Sequence, residues 1–393
     1  TIARWPQMGE MPDIHRTFYH PDGTPLKQGE ILKEPALAAS LRAIAQGGAK
    51  AFYSGKIARQ IVDAVQHAPH NKGGMTLKDL ADYRAKERAP VCGDYRQWHL
   101  CSMGPPSSGG IAIVQIMGML QRFPASQLQP GTLSEAHLFT QASRLAYADR
   151  AKYLADTDFV KVPVRGLLDK GYIAGRAALI DPTKDMGTAQ AGDPPQKHAA
   201  FSPQVSPVLH GTSHMTIVDR SGMVVSMTTS VEFVFGAQIM AGGFLLNNTL
   251  TDFSRQPRIN GKLVANAPAP GKRPLSAMSP TIGFDKDGNF LLSVGSPGGP
   301  AIIDYVAQTL VAMLDGGLTP EKAIALPRQL NLNGPTRLEE SPSNEALVVG
   351  LKAMGHDVTV QGGESSGLHG IERVKGGYIG GADPRRDGVV IGD

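Results

Sequence analysis

Two cysteines in 393 residues are too few for a disulfide scaffold. Cys92 and Cys101 flank a Gly-Asp pair inside what reads as two short strands. A bridge between them and a pair of reduced, half-buried thiols both fit that setting, so the redox compartment stays open. Long apolar runs are also missing. The longest, Ile111 to Leu120, falls short of the roughly 18–20 residues that a membrane span needs and reads as a buried helix. A large charge excess is absent as well. The formal net charge of +4 gives no reason to invoke nucleic acid or an anionic membrane surface. No internal repeat is visible. Metal-ligand patterns are weak: His67 and His70 stand three apart with Pro69 between them and no third ligand near. Asp285-Lys286-Asp287-Gly288 opens like a calcium loop but lacks the later ligands, so it reads as a hairpin turn. The Asn247-Asn248-Thr249 sequon sits at an apolar strand end and is not taken as a glycosylation site.

What is present is ordinary globular composition, 41% hydrophobic and 19% charged, in a chain long enough for two or three domains. The first half is helical. Pro35 opens a helix with Leu37, Leu41 and Ile44 on one face, and Gly47-Gly48 is expected to stop it. A second helix carries Ile57, Ile61, Val62 and Val65. Thr76 caps a third, with Asp79 three residues on. Residues 89 to 103 read as a hairpin. Pro105 to Gly110 turns into the apolar helix, with Ser107 or Ser108 as its cap. Thr132-Leu133-Ser134-Glu135 is a capping box. Residues 185 to 211 carry no apolar period and read as a linker.

After the linker the pattern changes to strands, expected at 213–219, 223–231, 243–247, 280–284 and 289–294, with two more near 370–374 and 377–381. The first pair brackets the turn Asp219-Arg220-Ser221-Gly222 and makes a β-hairpin. A linker thus delivers Thr212 to the first position of a strand. A cut before Thr212 would leave its α-amine beside its own hydroxyl, a nucleophile and base in one residue. The amine's reference pKa, about 7.7–8.0, suits it to accept the hydroxyl proton near neutral pH. Thr1 is a rival processed terminus, but Pro6 makes its surroundings a poor strand start.

Thr212-Ser213-His214-Met215-Thr216-Ile217-Val218-Asp219 resembles the small-subunit start of the γ-glutamyltransferase (γ-glutamyltranspeptidase) family. Phe235-Gly236, Leu246-Asn247-Asn248 with Asp252-Phe253-Ser254, Lys272 to Pro280, Gly295-Ser296-Pro297-Gly298-Gly299 and Asp383 to Gly388 follow in the family's order. Upstream, Pro105 to Gly110 and Tyr147-Ala148-Asp149-Arg150 match too. The resemblance implies an α+β fold, the four-layer αββα sandwich of the N-terminal-nucleophile hydrolases. It implies self-cleavage between Gly211 and Thr212, giving residues 1–211 as a large-subunit portion and 212–393 as the small subunit of a heterodimer. Against the family pattern residue 1 falls well inside the large subunit, so an N-terminal portion is expected upstream. A periplasmic or secreted location is implied as well. The expected activity is cleavage of γ-glutamyl amides such as glutathione through an ester on Thr212, with water or an amine as acceptor. A cephalosporin (glutaryl) acylase-like amidase is the alternative, and a truncated, unprocessed, non-catalytic relative is another.

The resemblance also assigns roles. Thr212 is the nucleophile, Ser230 its hydroxyl partner where the family usually has Thr, and Gly298 with Gly299 the oxyanion hole. Glu232, expected on the same strand face as Ser230, Asp252 and Ser276 bind the amino-acid end of the substrate. Two positions depart from the family. Thr249 replaces a Gln or Glu, and Ala277 replaces a second Ser, which weakens the expected glutamyl clamp. The chemistry calls for no metal and no organic cofactor.

Overall fold

The computed structural model describes residues 5–204, 211–363 and 366–392. Contacts divide the chain into two compact units, residues 1–87 with 231–249, and 88–230 with 250–393. The division expected at 211/212 is one of covalent processing, and packing follows other lines.

The smaller unit is mostly helical, with helices Pro12–Phe18, Pro35–Tyr53, Lys56–Gln66 and Leu77–Asp82. Gly47-Gly48 does not end the second of these. Gly48, at φ 60° and ψ −155°, kinks the chain and the helical turns resume to Tyr53. Only glycine takes that conformation at little cost, so the break is local. Thr76 and Asp79 form the expected reciprocal cap. The short strands Met240–Ala241 and Phe244–Leu245 pair within this unit.

The larger unit holds a six-stranded antiparallel sheet. Its strands are β1 (Val91–Tyr95), β2 (Trp98–Ser102), and four that follow the hairpin of β3 (Thr212–Val218) and β4 (Val224–Ser230). Those four are β5 (Thr281–Phe284), β6 (Phe290–Gly295), β7 (His369–Val374) and β8 (Gly377–Ala382), and the sheet order is β1-β2-β5-β6-β7-β8. Every expected strand is present within one or two residues, except that 243–247 shortens to Phe244–Leu245. Helices α1 (Gly109–Leu120), α2 (Leu133–Tyr153) and α3 (Ile302–Leu314) pack together and cover one side of the sheet. The β3–β4 hairpin stacks on the other side, against β6 and β7. Helices, sheet and hairpin therefore form successive layers of the expected α+β sandwich. The core is the seam between α1, α2, α3 and the sheet, with Ile111, Ile116, Phe139, Leu292, Val306 and Leu310 buried. Sequence patterning missed a second sheet of Gln329–Leu330, Thr336–Glu339 and Val358–Gln361, the last two parallel, joined through helix Glu345–Ala353.

Two caps differ from expectation. Thr132 accepts a bond from the Glu135 amide, but the Glu135 side chain turns inward to Gln329, so the box is only half formed. Ser108 occupies the N-cap of α1 without a side-chain capping bond. Its hydroxyl is used elsewhere, as described below. Cys92 and Cys101 face each other across the β1–β2 ladder and are bridged. Among the described residues no helix is long and apolar enough to cross a membrane.

Candidate active site

The tight turn at Asp219–Gly222 sets the register of the nucleophile hairpin. The Asp219 carboxylate accepts from the Ser221 and Met223 amides, which closes the turn. The ladder then pairs Val218 with Val224 and runs back to Thr212 opposite Ser230. The two hydroxyls meet at 2.9 Å. Thr212 is 5% exposed. The alternation along β3 buries Thr212 and His214 and leaves Met215 and Ile217 exposed, so the polar edge of this strand faces the sheet.

Stacking against β6 fixes where Thr212 points. Thr216 Oγ1 bonds Ser293 Oγ at 2.7 Å, and the His214 ring lies so close over Gly295 that a Cβ there would meet Cε1 at 2.1 Å. Two residues along β3 correspond to two residues back along β6. Thr212 lies two residues further along β3, toward the end of β6 that leads into the Ser296–Gly299 turn. Contacts through a third segment agree. Arg386 donates from Nη1 to the Thr212 carbonyl at 3.0 Å, and the Arg386 side chain and Pro297 both close on Gly367.

That turn needs its glycines. Gly298 has φ 134° and Gly299 φ 58°, and a Cβ on Gly298 would meet Tyr305 at 2.4 Å. They lead through a short 3-10 turn into α3. Amides at such a junction are suited to a developing oxyanion. The Tyr147 hydroxyl donates to the Pro300 carbonyl and holds the turn from the α2 side.

A second cluster leads into the same turn. Ser276 joins Ser107 in an isolated bridge, and its carbonyl accepts from both the amide and the hydroxyl of Ser108. Ser108 Oγ in turn accepts from Arg150 Nε at 2.8 Å. Arg150 is fully enclosed. Burial lowers its pKa, while Tyr147 and then Asp252 favour its charge. The Arg150 guanidinium also lies over the Tyr147 ring, 5.9 Å from its centroid. Asp252, Arg150 and Tyr147 therefore form a chain ending at Pro300, next to Gly299. The Asp252 carbonyl is fixed by Asn266 Nδ2 at 2.7 Å.

The structure thus pairs Thr212 with Ser230, connects Thr212 through Arg386 and Gly367 to Pro297, the residue before Gly298 and Gly299, and joins Ser276 through Ser108 to Arg150, whose charge Asp252 favours. Gly211, half-buried, directly precedes Thr212, and its carbonyl lies 3.5 Å from Ser230 Oγ. The linker segment 205–210 lies outside the described residues. Glu232 differs from expectation. β4 ends at Ser230, and Glu232 has φ 75° in the left-handed region, so strand alternation cannot place it on the Ser230 face. It belongs, with Thr249, to the smaller unit. Arg150, Tyr147 and Arg386 received no role from the sequence and Ser108 only that of a helix cap, although each lies in one of its motifs. The missing signal was partnership, since each acts on a residue more than 40 positions away.

His214 is buried on the same strand face as Thr212, two residues along. Its Nδ1 pairs with Thr228 Oγ1 at 2.8 Å, and burial followed by His369 pushes its pKa down to about 3. A ring so hard to protonate is a poor general base. In the continuous chain the Thr212 nitrogen is an amide. A free amine at this position would offer a base that the amide does not.

The family model described as gamma-glutamyltranspeptidase matches residues 1–393. The chain is 39% identical over 379 residues to the glutathione hydrolase proenzyme of Escherichia coli, covering 94% of this chain and 63% of that protein. It is 38% identical over 388 residues to that of Bacillus subtilis, 96% and 64% covered. It is also 33% identical over 380 residues to an acylase ACY 1 proenzyme of Pseudomonas, 94% and 63% covered. Among solved structures, the cephalosporin acylase of Bacillus halodurans superposes with a TM-score of 0.82 at 26% identity, over 96% of this chain and 65% of that one. The chain therefore spans somewhat less than two thirds of the length of these relatives. On that family match across the whole chain and these identities, the chain belongs to the gamma-glutamyltranspeptidase family.

Proposed function

We propose that this chain carries the catalytic machinery of an autoprocessed threonine amidase and acyltransferase acting on γ-glutamyl amides such as glutathione. In the first step Thr212 Oγ1 attacks the Gly211 carbonyl carbon, and the C–N bond opens to leave an ester on Oγ1 and an amine on Thr212. Water hydrolyses the ester, giving a Gly211 carboxylate and a free Thr212. Residues 1–211 and 212–393 then remain together as large-subunit portion and small subunit. In turnover the Thr212 amine takes the proton from Oγ1 as that oxygen attacks the γ-carbonyl, and returns it to the departing amine. The Gly298 and Gly299 amides donate to the oxyanion, and Ser230 orients the attacking oxygen. Asp252 pairs with the substrate ammonium and Ser276 with its carboxylate. No metal or organic cofactor enters these steps.

The observation that carries this reading is the Thr212–Ser230 hydroxyl pair, 2.9 Å apart, with Thr212 buried at the first position of a strand. Intact mass of the purified full-length protein tests it. Two fragments split at 211/212 are expected, and Thr212→Ala should give one uncut chain that releases no p-nitroaniline from γ-glutamyl p-nitroanilide. Persistence of either cleavage or turnover in that variant rejects the assignment. A second reading, an acylase on the same scaffold, draws support from Ala277, whose methyl is buried where a second carboxylate-binding hydroxyl was expected. Equal rates on γ-glutamyl and glutaryl p-nitroanilides would favour it. A periplasmic or secreted location fits the bridged Cys92 and Cys101, because disulfides persist in oxidising compartments.

A further inference from the structure

The β1–β2 hairpin carries chemistry that the proposed reaction does not use. Its register sets Cys92 opposite Cys101 and Asp94 opposite His99. Residues two apart on a strand share a face, so these four side chains form a two-by-two grid on one side of the hairpin. The ligand atoms of Cys92, His99 and Cys101 all lie within 4.8 Å of one another. Asp94 Oδ1 lies 2.8 Å from His99 Nδ1. With a proton on Nδ1 donated to that carboxylate, the Nε2 lone pair is free to bind. This is the carboxylate-to-imidazole support that orients histidines on metals. The cysteines are partly exposed and His99 is exposed, on a cavity of about 470 Å³ whose wall includes Asp94 and Lys170.

We propose that reducing the Cys92–Cys101 bond turns this hairpin into a binding site for one thiophilic cation of the zinc class, held by Cys92 Sγ, Cys101 Sγ and His99 Nε2. In the bridged form the sulfurs are bonded to each other and hold no ion. A phosphine and water supply the reduction: the S–S bond breaks, both sulfurs leave as thiols, and the phosphine becomes its oxide. Cation binding then releases the two thiol protons to solvent. Metal bonds of about 2.0–2.3 Å in a tetrahedral site put ligand atoms about 3.3–3.8 Å apart, a separation of the order of the 4.8 Å within which these three groups already lie. Two sulfurs and one imidazole select a borderline-soft ion over calcium or magnesium, which take oxygen sets. The fourth position opens on the cavity and is filled by water.

The full chain, reduced with a phosphine under nitrogen and freed of reagent, is titrated with Co²⁺ and then with Zn²⁺. One Co²⁺ per chain is expected, with thiolate-to-cobalt charge-transfer and tetrahedral d–d bands, displaced by Zn²⁺. The air-oxidised chain should show neither band. Cys92→Ser and Cys101→Ser should each lose the site. His99→Ala changes an exposed residue and keeps both thiols, so it tests the site without endangering the fold. It should weaken binding at least tenfold, and Asp94→Asn about tenfold. A reduced chain that takes up no Co²⁺, oxidised protein that binds equally, or a His99→Ala variant that binds as tightly as wild type would each overturn the proposal.

Discussion

Two hairpins in this molecule follow one rule and end in different chemistry. In β3–β4 the ladder sets Thr212 opposite Ser230, and in β1–β2 it sets Cys92 opposite Cys101. Each register brings two side-chain nucleophiles face to face with no long-range contact required. Surroundings separate them. Thr212 is buried, on a hairpin stacked against β6. The cysteines are partly exposed beside an imidazole, and Cys92 lines a cavity. Backbone pairing positions a reactive pair, and the layer stacked on it decides whether the pair becomes a catalyst or a crosslink.

The largest effect that would break this contrast is at Thr212. Thr212→Ala should reduce p-nitroaniline release by about 10⁴-fold or more, as removal of a nucleophile does elsewhere, while Cys101→Ser leaves the rate within a few fold. Comparable losses in both variants would mean that neither hairpin is the catalytic one. Next is Gly298→Ala. It strains a φ of 134° and drives a Cβ into Tyr305, so kcat should fall about 10²–10³-fold through displaced amides, with KM changing far less. An unchanged kcat would remove the glycine turn from the site. On the other hairpin, Cys92→Ser opens a loop of sequence separation 9 and should cost about 2–3 kcal/mol in urea unfolding.

The smallest effect is electrostatic and sharpens the comparison. His214, on the nucleophile hairpin, has a folded pKa near 3, below its ordinary 6.5, because burial disfavours the cation. The unfolded chain binds that proton first. Stability from this group is thus fully present above pH 6.5 and is lost as pH falls toward 3, at up to about 1.4 kcal/mol per pH unit. His214→Gln should flatten the acid limb of a stability-against-pH curve by one proton. An unchanged limb would show that His214 is not buried neutral.

Much of this was legible in the sequence. The period-2 runs and the turn Asp219–Gly222 placed β3 and β4, and with them Thr212 and Ser230, to within a residue. The glycines at 298 and 299 marked a turn that only they can make. Glu232 was misplaced because alternation was carried past the end of the strand, into a residue at φ 75°. Ser108 was read as a cap because local chemistry favours that role. Its hydroxyl instead bridges Ser276 and Arg150, a contact that no local pattern encodes.

The sequence by itself determined the elements, the cross-strand pairs and the placing of Thr212 at the first position of a strand, because helix and strand periods, turns and caps are local interactions. Only the tertiary structure decided which face of β3 turns inward. The apolar residues Met215 and Ile217 are exposed while Thr212 and His214 are buried, the reverse of the usual alternation, because β6 offers Gly295 and Ser293 to receive the polar side. It likewise decided that Arg150 and Tyr147 reach the glycine turn and that Cys92 and Cys101 are joined. These outcomes depend on segments far apart in the chain being packed in contact, and that proximity is set by the burial of the whole core.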